Sequence, residues 1–451
     1  MTHQATARPY PRYAALWRWH FYAGLFTAPF LLMLSVTGAI YLFNDELNDL
    51  IYPELRFANS SHTTPQQPAS MLIGAVEQQW PGSAVTRIDM PTTAGRSAML
   101  FVTPAEGEPF RAFVDPGTAE ILGQFIYTRT LVGFADVFHG SLMLGNVGDA
   151  IVELAACWAV VLIITGLYLW WPRGNDAGGR LLPRLALRGR RFWREVHRFT
   201  GFYAAALILF LILSGLPWAT VWGGMVLQPV TNALGLGYPP ALRHHSSTRT
   251  TMVDTLGEAP WALEQAPLPA GAHAHLPPAQ RTDIGVDRAT AILAQHGMAS
   301  AYRLSLPLDG QHLYSAYTYP DRPEGQHTLH VDRFTGEVLA DIRFQDYGAA
   351  AKAVEWGVAV HMGNYWGRAN QLIMLLTCIA IIALVITGVV MWWRRRPQGS
   401  LGAPRTISAP RARNTVLVTA ALLIVFPLTG LSLVLILGLD TVWRSLCRRK
   451  R

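Results

Sequence analysis

The sequence predicts an α-helical integral membrane protein. It has a four-helix transmembrane core from a parallel internal duplication, a fifth hydrophobic segment at the C-terminal end, and two small external α+β domains. Three observations carry that prediction. First, 51% of the 451 residues are hydrophobic and only 15% charged, too few to make a single soluble domain of this size. Second, the apolar residues collect into runs of the length a bilayer requires, at least about 18 residues. Third, basic and acidic segments alternate along the chain, and a set of His, Gly, Thr and Trp residues recurs at matched intervals.

In chain order, residues 1–43 are a basic N-terminus and a first span with its apolar run over 21–43. That run is too long for a cleaved leader, and no small-x-small site follows Phe43-Asn44-Asp45, so a retained span is expected. Residues 44–136 form the first external segment, and 137–172 hold a short interfacial helix and the second span, apolar over 150–171. A basic loop at 173–198 leads to the third span at 199–222 and the second external segment at 223–356. Residues 357–393 repeat the short helix and span, apolar over 369–393, and 394–414 are a second basic loop. The remainder, 415–451, is a weaker apolar segment interrupted by Pro427 and a basic tail. A single crossing there puts Arg444 to Arg451 outside; a re-entrant or interfacial segment bent at Pro427 avoids this.

Orientation follows from charge. Residues 1–18 carry Arg8, Arg12 and Arg18 and no acid, the 173–198 loop has eight arginines against Asp176 and Glu195, and 394–413 has six arginines and no acid. Segments 44–136 (eleven acids, five bases) and 224–360 (thirteen acids, nine bases) are acidic. The positive-inside rule assigns the basic segments to the cytoplasm and the two acidic ones to the outside. The net charge of +8 therefore reports topology, and nucleic acid is not a partner. Three cysteines, none in the external segments and none in a C-x-x-C-H, exclude a disulfide framework, covalent c-type haem and iron–sulfur ligation.

The duplication is read from spacing. Gly24 and Gly38 follow His20 by four and eighteen residues, as Gly201 and Gly215 follow His197. Gly145, Thr165-Gly166 and Trp170-Trp171 follow His139 at the intervals at which Gly367, Thr387-Gly388 and Trp392-Trp393 follow His361. Both halves run in the same direction, so equivalent residues share a depth about an axis along the membrane normal. Residues 111–123 and 329–339 alternate around Asp115 and Asp332 and predict hairpins with carboxylate-capped turns, and 71–80 and 286–296 have helical spacing. The Pro-, Ala- and His-rich stretch 238–281 reads as a linker or irregular loop.

Four histidines at two depths predict two bis-histidine centres: His20 with His197 at the cytoplasmic face, His139 with His361 at the external face. The best candidate for each is haem b, bound through neutral imidazole nitrogen. Gly24 and Gly201, one helical turn beyond each inner histidine, leave room for a flat ring; the alternative is helix packing. Gly145 and Gly148, like Gly363 and Gly367, break the chain between outer histidine and span. Zinc is a weaker choice because no third ligand recurs. Arg18, Arg194 and Arg198 near the inner pair and Arg368 near the outer one are candidates for haem propionates, although the positive-inside bias already explains the first three. The Trp pairs read as interfacial anchors. His244-His245, His273-x-His275 and His327-x2-His330 read as surface-loop residues rather than metal ligands.

These features together resemble the PepSY-associated transmembrane family. The carriers are WRWHFYAGLF at 17–26, EVHRFTGFY at 195–203, the His-x5-Gly segments, the Thr-Gly…Trp-Trp ends, and VDPGTAEILG and VDRFTGEVL. The resemblance covers most of 15–395 and implies PepSY-like external domains and two b haems. It also implies an oxidoreductase that passes electrons, from the cytoplasmic side or the membrane pool, to a periplasmic ferric-siderophore. Donor and chelate are not fixed by it, and the fifth segment has no counterpart in the repeat. Two other classes stay open: a transporter, for which Glu153 is the main intramembrane charge, and a non-catalytic peptide- or protein-binding membrane module.

Overall fold

The computed structural model describes residues 11–61, 63–171, 182, 184, 186–239, 242, 251–253, 259–269, 271, 277, 281–308, 311–402 and 412–449. The helices are α1 (Pro11–Tyr41), α2 (Asn44–Ile51), α3 (Pro53–Arg56), α4 (Ala69–Gln79), α5 (Leu131–Ser141), α6 (Gly145–Trp170), α7 (Gly189–Gly215), α8 (Gln228–Ala233), α9 (Val286–Gln295), α10 (Ala349–His361), α11 (Arg368–Trp393), α12 (Ala412–Val425) and α13 (Pro427–Arg449). A π-helical stretch, Thr220–Leu227, follows α7. The chain forms two compact units: Met1–Ala39 with Val137–Leu227 and Leu372–Arg451, and Ile40–Asp136 with Gln228–Gln371.

The first unit is helical. Among the described residues, four helices are long and apolar enough to cross a membrane: Tyr13–Tyr41, Gly145–Trp170, Gly189–Trp218 and Arg368–Trp393. They match the four predicted spans. Yet α1 and α7 begin at Pro11 and Gly189, before the apolar runs at 21 and 199. Arg and Glu are good helix formers, so the basic approaches join the helices. His20 and His197 therefore sit inside helices rather than at their ends.

The first Trp pair divides its work. Trp170 is buried and stacks on Phe202 at 3.9 Å, whereas Trp171 is 66% exposed. Successive helical residues point about 100° apart, so one of two neighbours turns inward; the anchor reading is corrected for Trp170. Glu153 is buried and accepts hydrogen bonds from the Val221 (3.0 Å) and Trp222 (3.2 Å) backbone N–H groups, while Asp149 accepts from Thr220 N–H at 2.7 Å. Two carboxylates one turn apart on α6 thus satisfy the free donors at the start of the π-helical stretch.

The fifth segment is a helical hairpin. A Cβ on Gly430 would fall 2.4 Å from the Leu423 backbone N, so α13 turns back on α12 at Phe426–Pro427. The Val425 carbonyl, left over by the break, accepts the Trp222 indole N–H at 2.9 Å, and Trp158 donates to Ser432 at 3.1 Å.

The second unit is built on β1 (Ala84–Asp89), β2 (Ala98–Thr103), β3 (Phe110–Val114), β4 (Ile121–Phe125), β5 (Tyr302–Ser305), β6 (Leu313–Thr318), β7 (His327–Asp332) and β8 (Val338–Arg343). All eight strands form one antiparallel sheet, β4-β3-β2-β1-β5-β6-β7-β8. The expectation of two separate α+β domains is corrected here: β1 pairs with β5, Ile88 opposite Leu304. Each strand alone would leave an open edge, and joining them removes both. Helices α4 and α9 cover one face, over a core of Leu72, Val76, Ile88, Leu100, Leu293, Leu304 and Leu329. Ser70 N–H donates to Asp287 at 2.9 Å and ties the two helices.

The turns are as predicted. Asp115 accepts Gly117 N–H at 2.8 Å, and Asp332 accepts Phe334 and Thr335 N–H at 2.9 Å. His327 and His330 are not loop residues. They lie in β7, both buried, and three residues apart on a strand they point to opposite faces. His327 Nε2 pairs with Asp341 at 2.8 Å and His330 Nδ1 with Ser315 at 2.8 Å. His244, His245, His273 and His275 lie outside the described residues. The described part of 238–281 is irregular, as expected, but packs inward through Trp261 and Leu263.

Candidate metal centre

In the helical unit, α1 and α7 bring the rings of His20 and His197 together edge-on. Their ring centroids are 6.4 Å apart and the planes cross at 87°. Two imidazoles bound to opposite sides of one ion, with metal–nitrogen bonds of about 2.0 Å, have centroids about 6.3 Å apart. The observed separation matches that geometry.

Which nitrogen each ring offers follows from hydrogen-bond accounting. The Thr165 hydroxyl donates its one proton to the Val161 carbonyl at 2.8 Å and lies 3.1 Å from His20 Nδ1. The Leu162 carbonyl, which can only accept, also lies 3.1 Å from that nitrogen. His20 Nδ1 therefore carries the proton. At His197 the arrangement repeats: Thr387 donates to the Ala383 carbonyl at 2.7 Å and accepts from Nδ1 at 2.9 Å. In both rings Nε2 keeps its lone pair for a metal.

His139, from α5, is seated the same way. Thr37 donates to the Met33 carbonyl at 2.8 Å and accepts from His139 Nδ1 at 2.9 Å. Burial pushes this imidazole down to about 4, so it is neutral at pH 7. Its helix ends in a left-handed turn at Leu142 (φ 53) and Met143 (φ 60) before Gly145 (φ 56) opens α6. Gly148 passes so close to the Ser141 carbonyl that no side chain fits. His361 closes α10 in the sheet unit, where Gly363 (φ 83) and Gly367 (φ 61) make the corresponding break. The predicted breaks stand at Gly145, Gly363 and Gly367, whereas Gly148 lies within α6 and makes no break.

Three glycines lie against histidine rings. A Cβ on Gly166 would sit 3.0 Å from His20 Cε1, on Gly38 3.2 Å from His139 Cε1, and on Gly388 3.7 Å from His197 Cε1. Gly24 and Gly201 face Leu162 (3.6 Å) and Leu384 (3.5 Å), contacts of helix packing. Arg18 lies over the Tyr22 ring at 5.7 Å, Arg194 is exposed, and Arg198 pairs with Glu195 at 3.3 Å. In the sheet unit Arg368 pairs with Glu46 and donates to Gln371 at 2.7 Å.

Sequence reasoning missed the seating residues, although a signal exists. The pattern Leu-x-x-(Thr/Ser)-Gly occurs at Leu34–Gly38, Leu162–Gly166, Leu211–Gly215 and Leu384–Gly388. Thr37, Thr165 and Thr387 each place a hydroxyl on a histidine Nδ1. In the fourth, Ser214 donates to the Phe210 carbonyl at 2.7 Å.

The family profile described as the PepSY-associated TM region matches residues 17–395, and the chain belongs to that family. The hairpin of α12 and α13 lies beyond the match. No curated protein matches the chain.

Proposed function

We propose that the protein is a di-haem b oxidoreductase of the bacterial inner membrane. It takes electrons from a cytoplasmic or membrane-pool donor and reduces a ferric-siderophore in the periplasm. The observation that carries this reading is the 6.4 Å approach of the His20 and His197 rings, their planes nearly perpendicular, each with Nδ1 held by a threonine and Nε2 left to bind. The second centre, His139 with His361, is argued from the repeat spacing and from the matching threonine at His139.

Haem held by His20 with His197 and by His139 with His361 would supply reversible one-electron storage. The chain's own residues fix the tautomer of each imidazole, limit its rotation, and keep the region dry with apolar helices. Arg18, Arg194 and Arg198 are placed by sequence to meet propionates from the basic side. Assigning the basic loops to the cytoplasm places the sheet unit in the periplasm.

The transporter reading is disfavoured by Glu153, whose carboxylate caps backbone N–H groups. The test is reconstitution in liposomes with a reductant sealed inside and a ferric-siderophore outside. The reading expects ferrous release that depends on His20 and His197. Release unchanged in His20→Ala and His197→Ala proteoliposomes rules it out.

A further inference from the structure

We propose that the hydroxyls of Thr165, Thr387 and Thr37 are positioning residues that set the reduction potential of the histidine-ligated centres. The proposal rests on the haem reading above. Each hydroxyl has a single proton, and each donates it to a carbonyl four residues back in its own helix: Val161, Ala383 and Met33, at 2.7–2.8 Å. The lone pairs of that oxygen are what remain for the imidazole N–H, at 3.1, 2.9 and 2.9 Å. The helix therefore dictates that the histidine donates and the hydroxyl accepts.

The identity of the acceptor matters. A carboxylate accepting from Nδ1–H draws the ring toward imidazolate and makes it a strong donor to ferric iron. A neutral hydroxyl draws far less. Among the described residues no carboxylate is hydrogen-bonded to any of these three rings. The centres are thereby poised above what a carboxylate partner would give. Deleting the hydroxyl moves them further the same way, because ferric iron then loses donor strength. The adjacent leucine carbonyl is a reserve acceptor, Leu162 at 3.1 Å from His20 Nδ1. Removing the threonine oxygen therefore changes the ligand's strength more than its presence.

The experiment uses the full-length protein. Thr165→Val, Thr387→Val and Thr37→Val keep β-branched shape and lose the hydroxyl, both its bond to the helix carbonyl and its acceptance from Nδ1; the three Thr→Ser variants restore it. Midpoint potentials are read by redox titration, and ligand orientation from low-spin EPR g-values. Each valine variant should raise the potential of its centre by about tenfold in the reduced-to-oxidised ratio, about 59 mV for one electron, and serine should return it to the wild-type value. Thr165→Val and Thr387→Val should move the same centre, and Thr37→Val the other.

Valine variants with wild-type potentials and g-values, on an intact b-type spectrum, overturn the proposal. If valine costs the haem outright, the serine variants decide: haem and potential regained support it, and equal loss overturns it. Nitrogen-15 NMR of the histidines is an independent check on the haem-free protein. Nδ1–H is expected at all three, and Nε2–H at any of them contradicts the proposal. A colourless wild type sinks the haem reading itself, a result distinct from each of these.

Discussion

Adding one methyl group at Gly166 should damage the inner centre, and adding the same group at Gly388 should not. The Cβ of Gly166→Ala lies 3.0 Å from His20 Cε1, well inside ordinary contact, on the ring edge whose Nδ1 is bonded to Thr165 and Leu162, so making room pulls those hydrogen bonds. The imidazole must shift by a few tenths of an ångström, and overpacking of this kind costs about 1–3 kcal/mol. Helix propensity returns up to about 1 kcal/mol for Gly→Ala. The net loss falls on the haem-competent position of His20. At about 1.4 kcal/mol per decade, inner-haem affinity should fall about tenfold.

Gly388→Ala places its Cβ 3.7 Å from His197 Cε1, a normal contact, and should keep full haem with a slightly higher melting temperature. Gly38→Ala, at 3.2 Å from His139 Cε1, should weaken the outer centre instead. Haem per chain and the thermal melt of each purified variant are the assays. Equal haem loss in Gly166→Ala and Gly388→Ala, or none in Gly166→Ala, would refute the reasoning.

Three further outcomes follow from the packing. Gly430→Ala has no room against the Leu423 backbone and should open the C-terminal hairpin at a cost of about 3 kcal/mol, seen as a lower melting temperature and altered fluorescence of Trp222. Gly336→Ala, at φ 74 and 3.3 Å from Ile292, should destabilise the sheet unit by about 1–2 kcal/mol; an unchanged melt contradicts the assigned turn. Burial, reinforced by Glu355 nearby, pushes Glu264 up to about 7 from 4.5, so the folded state holds a proton that the unfolded chain releases. Its stabilisation is full below about pH 4.5 and is lost as pH rises to about 7, with a slope of at most about 1.4 kcal/mol per pH unit. Glu264→Gln should flatten that part of the pH–melt profile.

The spans, the short helices before the outer histidines and the hairpin turns at Asp115 and Asp332 were legible because each rests on local periodicity or turn chemistry. The joining of β1 to β5 was not, because strand partners more than two hundred residues apart leave no mark in either stretch. The histidine pair was visible as spacing, but the residues that seat it were not recognised. Thr165-Gly166 and Thr387-Gly388 served only as markers of repetition. Only a hydrogen-bond account assigns the hydroxyl to Nδ1 and the missing side chain to the ring. Gly24 and Gly201 show the reverse: one turn from the histidine on the same helix, they face Leu162 and Leu384. Helical phase places a residue on a face but does not say which neighbour that face meets.

Haem stoichiometry in the wild type, in each of the His20→Ala, His197→Ala, His139→Ala and His361→Ala proteins, and in the double variants tests the central claim most directly. Two haem b per wild-type chain are expected, and one per chain in every single variant. His20→Ala/His197→Ala should keep the outer haem, and His20→Ala/His139→Ala should keep none. A folded, haem-free wild type, or a His20→Ala/His197→Ala protein that loses both haems, would contradict the pairing on which the account stands.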